Sequence, residues 1–133
     1  MAQRALPTVI GPTENALRSL LQSILTPSEV DNDREWAYLN LTAGGTPQSA
    51  ILSTMGITSA ELLAIRVSLA ARSLIDGKGE LTPSGLEALA QLRPKVAEMT
   101  ERLMKGIDDT EAQAAVRVLD AIRHNAAENN VTS

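Results

Sequence analysis

Apolar residues recur along most of the chain at the spacing of a single helix face. Leu17, Leu20, Leu21, Ile24 and Leu25 follow the i, i+3, i+4, i+7, i+8 pattern and predict a first helix that opens at Thr13. Thr26-Pro27-Ser28 stops it. A polar bridge through Asp31 and Asp33 leads to a second helix with Trp36, Leu39 and Ala43, ended by Gly44-Gly45. Thr46-Pro47 sets a hydroxyl cap before a proline at the first helical position, where no N–H is missed. It opens a short third helix that turns Ile51, Leu52 and Met55 inward and closes at Gly56. Thr58 then opens a fourth helix. Glu61, three residues on, completes a capping box, and Leu62, Ile65, Leu69 and Ala70 form the inner side as far as Ser73.

The period then changes. Leu74-Ile75 and Glu80-Leu81 read as two very short strands around Asp76-Gly77-Lys78-Gly79, a hairpin signal. Thr82-Pro83 repeats the start signal of Thr46-Pro47 and opens a long fifth helix with Leu86, Leu89, Leu92, Val96, Met99 and Leu103 on one side. Pro94 inside it removes one backbone bond and predicts a bend. Gly106 ends that helix. Asp108 with Glu111 makes a second capping box, and Ala115, Val118, Leu119 and Ile122 form the last stripe. The order helix, glycine turn, helix, hairpin is that of a winged helix-turn-helix. The expected fold is mainly α with a small β-hairpin wing and long helices at both ends.

At 133 residues the chain is expected to form one domain over 13–127, after an arm at 1–12 broken by Pro7, Gly11 and Pro12, and before a polar, frayed tail at 128–133. Cysteine is absent, which excludes disulfides and thiol catalysis and fits a reducing, cytoplasmic setting. No run approaches the ~20 apolar residues of a membrane span, and the proline-bearing start does not resemble a signal peptide. One Trp, one Tyr and no Phe leave little for stacking on single-stranded nucleic acid. A net charge of −4 gives no general attraction to phosphate, so affinity for DNA needs a local basic patch.

Enzyme chemistry finds no support. His124 is the lone histidine, so neither a catalytic triad nor a metal site forms around it; an i, i+4 contact with Asp120 accounts for it. Gly44-Gly45 and Gly77-x-Gly79 lack the strand-to-helix context of phosphate loops, and no cofactor is expected. The first, fifth and sixth helices carry long apolar stripes with no aromatic ring to seal them. A second copy of the chain is the simplest cover, which makes Leu17, Leu20, Leu21, Ile24, Met99, Leu103, Val118, Leu119 and Ile122 the expected homodimer interface.

With this layout, residues 13–125 resemble the multiple-antibiotic-resistance-regulator (MarR) family of winged-helix transcription factors. The most specific piece is Leu81-Thr82-Pro83-Ser84-Gly85-Leu86-Glu87-Ala88-Leu89, similar to the family's join between wing and dimerisation helix. Arg93-Pro94, Ile57 to Ile75 and Asp108 to Leu119 add weaker matches. The resemblance implies dimerisation helices at 13–27 and 83–127 and a DNA-binding lobe at 28–82. It implies a fourth helix in the major groove, a wing at the minor groove, and a small, often phenolic ligand between the two parts. Carried onto this sequence, Ser59 and Ser68 would touch phosphate or base edges, Arg66 and Arg72 the backbone, and Lys78 the minor groove. Ala60 and Leu63 would make only apolar contact, for instance with a thymine methyl. Trp36 is either a core anchor or, with Tyr38, part of a pocket for a small aromatic ligand.

The departures fall at the reading positions: the wing has no Arg, and the fourth helix offers no bidentate reader of bases. Two functions are therefore weighed, a homodimeric, ligand-responsive regulator that binds double-stranded DNA, and a winged-helix dimer that has lost DNA reading and binds a protein partner.

Overall fold

The computed structural model describes residues 5–131, with side chains described as far as residue 129. It is mostly helical. The elements are α1 (Leu6–Leu25), α2 (Asp33–Ala43), a 3-10 turn (Gln48–Ala50) running into α3 (Ile51–Met55), α4 (Ser59–Ala71), α5 (Pro83–Met104) and α6 (Asp109–Val131). The chain forms two compact units, Met1–Glu98 and Met99–Ser133.

In the first unit, side chains from α1 to α5 meet in one core. Leu25 and Val30 come from α1 and the loop after it, Tyr38 and Leu39 from α2, and Ile51 from α3. Leu62, Ile65 and Leu69 come from α4, Leu74 and Ile75 from the following turn, and Leu89 and Leu92 from α5. Each such residue contributes about 2 kcal/mol by leaving water. The helix starts follow local chemistry. Asn32 caps α2 by accepting from the Glu35 N–H at 3.0 Å. Thr58 and Glu61 make both halves of the capping box on α4, at 3.2 and 3.1 Å. Gly56, left-handed at φ 67°, turns α3 into α4.

Three expectations about the fold are corrected. The arm expected at 1–12 is helical from Leu6, and residues 1–4 lie outside the described residues. Pro7 sits in the first turn, where proline is tolerated, and Pro12 removes a single N–H from an exposed stretch of the helix. The tail is likewise helical to Val131. The hairpin is smaller than expected. Among the described residues no strand forms, and Ile75 and Leu81 make one isolated antiparallel bridge. The Asp76 N–H donates to the Glu80 carbonyl at 2.8 Å, and the Asp76 carboxylate accepts from the Lys78 and Glu80 N–H groups at 2.8 and 3.1 Å.

The Thr-Pro-x-Gly join has a steric reason. Thr82 caps α5, accepting from the Gly85 N–H at 3.1 Å while its hydroxyl donates to the Ser73 carbonyl at 2.6 Å. That contact draws the first turn of α5 onto the backbone at Leu74. A Cβ on Gly85 would lie 2.1 Å from the Leu74 carbonyl oxygen. In the second unit, α6 opens with the Asp108 carboxylate accepting from the Glu111 N–H at 3.3 Å, after a turn in which Gly106 has φ 82°. His124 approaches Glu128 at 3.2 Å rather than Asp120, which pairs with Arg123.

The Gly85→Ala variant is expected to lose about 2–3 kcal/mol, because a backbone atom, unlike a side chain, cannot step aside. Urea unfolding monitored by circular dichroism measures it, and an unchanged midpoint would refute the close approach.

Candidate nucleic-acid interface

The helix-turn-helix pair is α3 and α4, and the orientation of α4 decides what it can present. Leu62, Ile65 and Leu69 fall on the core side, and Arg72 continues the same stripe one turn on. It meets Glu35, which is 2% exposed on the core face of α2. The Arg72 guanidinium donates to the Glu35 carboxylate at 2.7 Å, to the Ser68 hydroxyl and to the Glu29 carbonyl, and its Nε donates to the Ser68 carbonyl at 3.2 Å. The Asp31 N–H donates to the other Glu35 oxygen at 2.9 Å. Burial alone would raise the Glu35 pKa. The bonds from Arg72, the Asp31 N–H and Ser68 outweigh it, and the carboxyl is held below its ordinary value. Arg72 and Ser68, expected at DNA, are thus engaged inside the chain.

Arg66 is half-buried. It donates to the Gln48 carboxamide oxygen and, through Nε, to the Tyr38 hydroxyl at 3.4 Å, with its guanidinium carbon 5.9 Å from the Tyr38 ring centre. The Tyr38 hydroxyl in turn donates to the Gly79 carbonyl at 2.7 Å, so this cluster ties α4, α2 and the 3-10 turn to the loop after α4. Gly79 has φ 84°, and a Cβ there would stand 2.7 Å from the Tyr38 hydroxyl oxygen. The glycine therefore serves the backbone conformation and the contact together.

The outward side of α4 carries Ser59, Ala60, Leu63, Ala64, Val67 and Ala71, all exposed. Leu63 and Val67 are 63% and 61% exposed. Lys78 is exposed at the tip of the loop. Arg34, at the start of α2, forms an ion pair with Glu61 beside the α4 N-terminus. Sequence reasoning passed over Arg34, Glu35 and Gln48. The missed signal for Glu35 is its place three and four residues before Tyr38 and Leu39, on one face of α2.

A cleft of about 620 Å³ opens between α1, α2 and α3, lined by Arg18, Trp36, Asn40, Met55 and Ile57 among others. Trp36 borders it. Tyr38 does not: it is fully buried and faces Gly79, which corrects its expected place in a pocket. Of the expected dimer residues in the first unit, Leu17 and Leu20 are exposed and Leu21 and Ile24 partly so. In the second unit Met99, Leu103 and Ile122 are partly buried and Val118 and Leu119 exposed.

No family model matches the chain, and no curated protein matches it. Two solved structures do. A MarR-family transcriptional regulator from Rhodococcus sp. RHA1 is 22% identical with a TM-score of 0.72, over 92% of this chain and 98% of that one. The PcaV transcriptional regulator from Streptomyces coelicolor, solved in complex with its natural ligand, is 19% identical with a TM-score of 0.70, over 95% of this chain and 99% of that one. The chain has the MarR-like winged-helix fold.

The Glu35→Gln variant is expected to lose about 2–3 kcal/mol. That is less than a fully buried pair loses, because the Arg72 side chain is 25% exposed and can turn to water. A carboxyl whose pKa is lowered on folding stabilises the fold above its unfolded pKa, and that share fades as pH falls through the lowered value. The gap between wild type and variant should therefore narrow as pH falls from neutral through and below the ordinary glutamate range. Denaturant midpoints at several pH values check this; a constant gap would count against the ion pair.

Proposed function

We propose that this protein is a cytoplasmic transcriptional regulator that binds double-stranded DNA as a homodimer, with α4 toward the major groove and the loop 76–80, standing in for a wing, toward the minor groove. The observation that carries the reading is the capped α3–Gly56–α4 pair, set in a fold shared along nearly its whole length with two transcriptional regulators. On this reading 28–82 is the DNA-binding lobe, and 13–27 with 83–127 supply the two-fold contact. The exposed Leu17, Leu20, Val118 and Leu119 support a second copy as their cover. Ser59, Ala60, Leu63 and Lys78 remain the DNA-facing set. The cleft at Trp36 is the place for a small aromatic ligand, since its wall combines an indole, apolar side chains and the polar Arg18 and Asn40.

One observation favours a second reading. The outward side of α4 is apolar, and both of its arginines have partners within the chain. A winged-helix protein that docks a protein partner on α4 would look the same.

Titration with generic duplex DNA at low and moderate salt separates the two. Weak binding that falls steeply with salt is expected of the regulator, and Lys78→Ala should flatten the slope of log K against log salt by about one per protomer engaged. Absence of binding at low salt would turn the assignment to the protein-docking reading. Sedimentation at micromolar concentration should give twice the chain mass; a single-chain mass would remove the homodimer.

A further inference from the structure

We propose that α4 recognises its DNA through the C5-methyl groups of thymine rather than through hydrogen bonds to base edges; this rests on the DNA-binding reading above. The inference comes from what the outward side of α4 lacks. Guanine and adenine are read in the major groove by side chains that bond bidentately, such as Arg, Lys, Asn and Gln. The exposed side chains of α4 include none of these, and Arg66 and Arg72 are bonded to Tyr38, Gln48, Ser68 and Glu35. Cytosine is read by a carboxylate that accepts from its amino group. The one carboxylate of α4, Glu61, is held by the Thr58 N–H and by Arg34.

What remains is Ser59, whose single hydroxyl bonds to a base edge or a phosphate alike and so does not discriminate, and a stripe of Ala60, Leu63, Ala64 and Val67. The stripe's chemical match in the major groove is a pyrimidine methyl. From Ala60 to Val67 the helix rises about 10 Å, the length of about three base-pair steps. The stripe therefore suits a short cluster of thymines. The same methyl is offered by 5-methylcytosine, so the two sources need separating.

The probes are an alternating A·T duplex, the same duplex with deoxyuridine for thymidine, and an alternating G·C duplex with and without 5-methylcytosine. Charge and hydrogen-bonding pattern are equal within each pair, and only the methyl differs. The thymine duplex should bind more tightly than the uracil duplex, by about fourfold for each methyl buried. A double variant, Leu63→Ala with Val67→Ala, should weaken that preference several-fold while keeping the salt dependence, and an unchanged preference would overturn the inference. Both residues are exposed, so the fold is not at issue, and circular dichroism verifies it.

Equal, salt-dependent binding of the thymine and uracil duplexes would overturn the inference and leave the DNA-binding reading standing. A preference confined to methylated over plain cytosine would overturn the thymine assignment. Failure of every duplex to bind at low salt would remove the DNA-binding reading and this inference with it, and would hand the stripe to a protein partner.

Discussion

The ion pair between Glu35 and Arg72 fixes which way α4 faces. A buried pair of this kind adds little net stability over an apolar substitute, because both charges lose their water. Its effect is on orientation. Arg72 lies on the same stripe as Leu62, Ile65 and Leu69, and Glu35 lies on the core face of α2, so the pair and the apolar contacts select one rotation of α4. Turning the helix far enough to free the guanidinium would lift Leu69 out of the core and leave a carboxylate buried alone. The same rotation sets Leu63 and Val67 facing outward. The apolar outward face of α4 is thus a consequence of how the helix is anchored.

The second anchor lies at the other side of α4. Tyr38 is fully buried, and its hydroxyl joins Arg66 and Gln48 to the Gly79 carbonyl. A loop of a few residues with one backbone bridge has little stability of its own. Here it is held by a side chain from the middle of the core. The loop after α4 is therefore positioned by α2 as well as by its one antiparallel bridge. Gly85 makes a matching demand one turn later, where α5 starts directly against the Leu74 backbone.

Helix periodicity and start signals made most of the fold legible in the sequence. Thr58 with Glu61, Thr82-Pro83 and Asp108 each begin a helix because a cap is a local event, settled within four residues. Two kinds of feature were not readable this way. The start of α1 was hidden by Pro7 and Pro12, which break the pattern on paper but remove only one bond from an exposed stretch of the helix. The fate of charged side chains was hidden because it depends on pairing between helices. Arg72 reads as a surface cation until Glu35 is set opposite it, 37 positions earlier. The clue was in the spacing: three residues after Leu69, Arg72 sits on a buried stripe, and Glu35 shares a face with Tyr38 and Leu39 on α2. Trp36, the more conspicuous residue of α2, is only partly buried and packs against the edge of the core. For the candidate interface, the sequence made the absence of base readers plain, but not that Arg66, Ser68 and Arg72 are engaged within the chain.

An acidic chain with few free cations near α4 has little electrostatic means to gather DNA from a distance, so on the DNA-binding reading its non-specific affinity is low. Apolar contact with base edges acts only at van der Waals range and is nearly indifferent to salt. One such helix discriminates weakly. On the homodimer reading two such helices would change the arithmetic, because once the first has docked the second faces its half-site at high effective concentration. On that reading the apolar stripe and the exposed terminal helices depend on each other: a single face of this composition would not hold a duplex, and a dimer without it would have nothing to select.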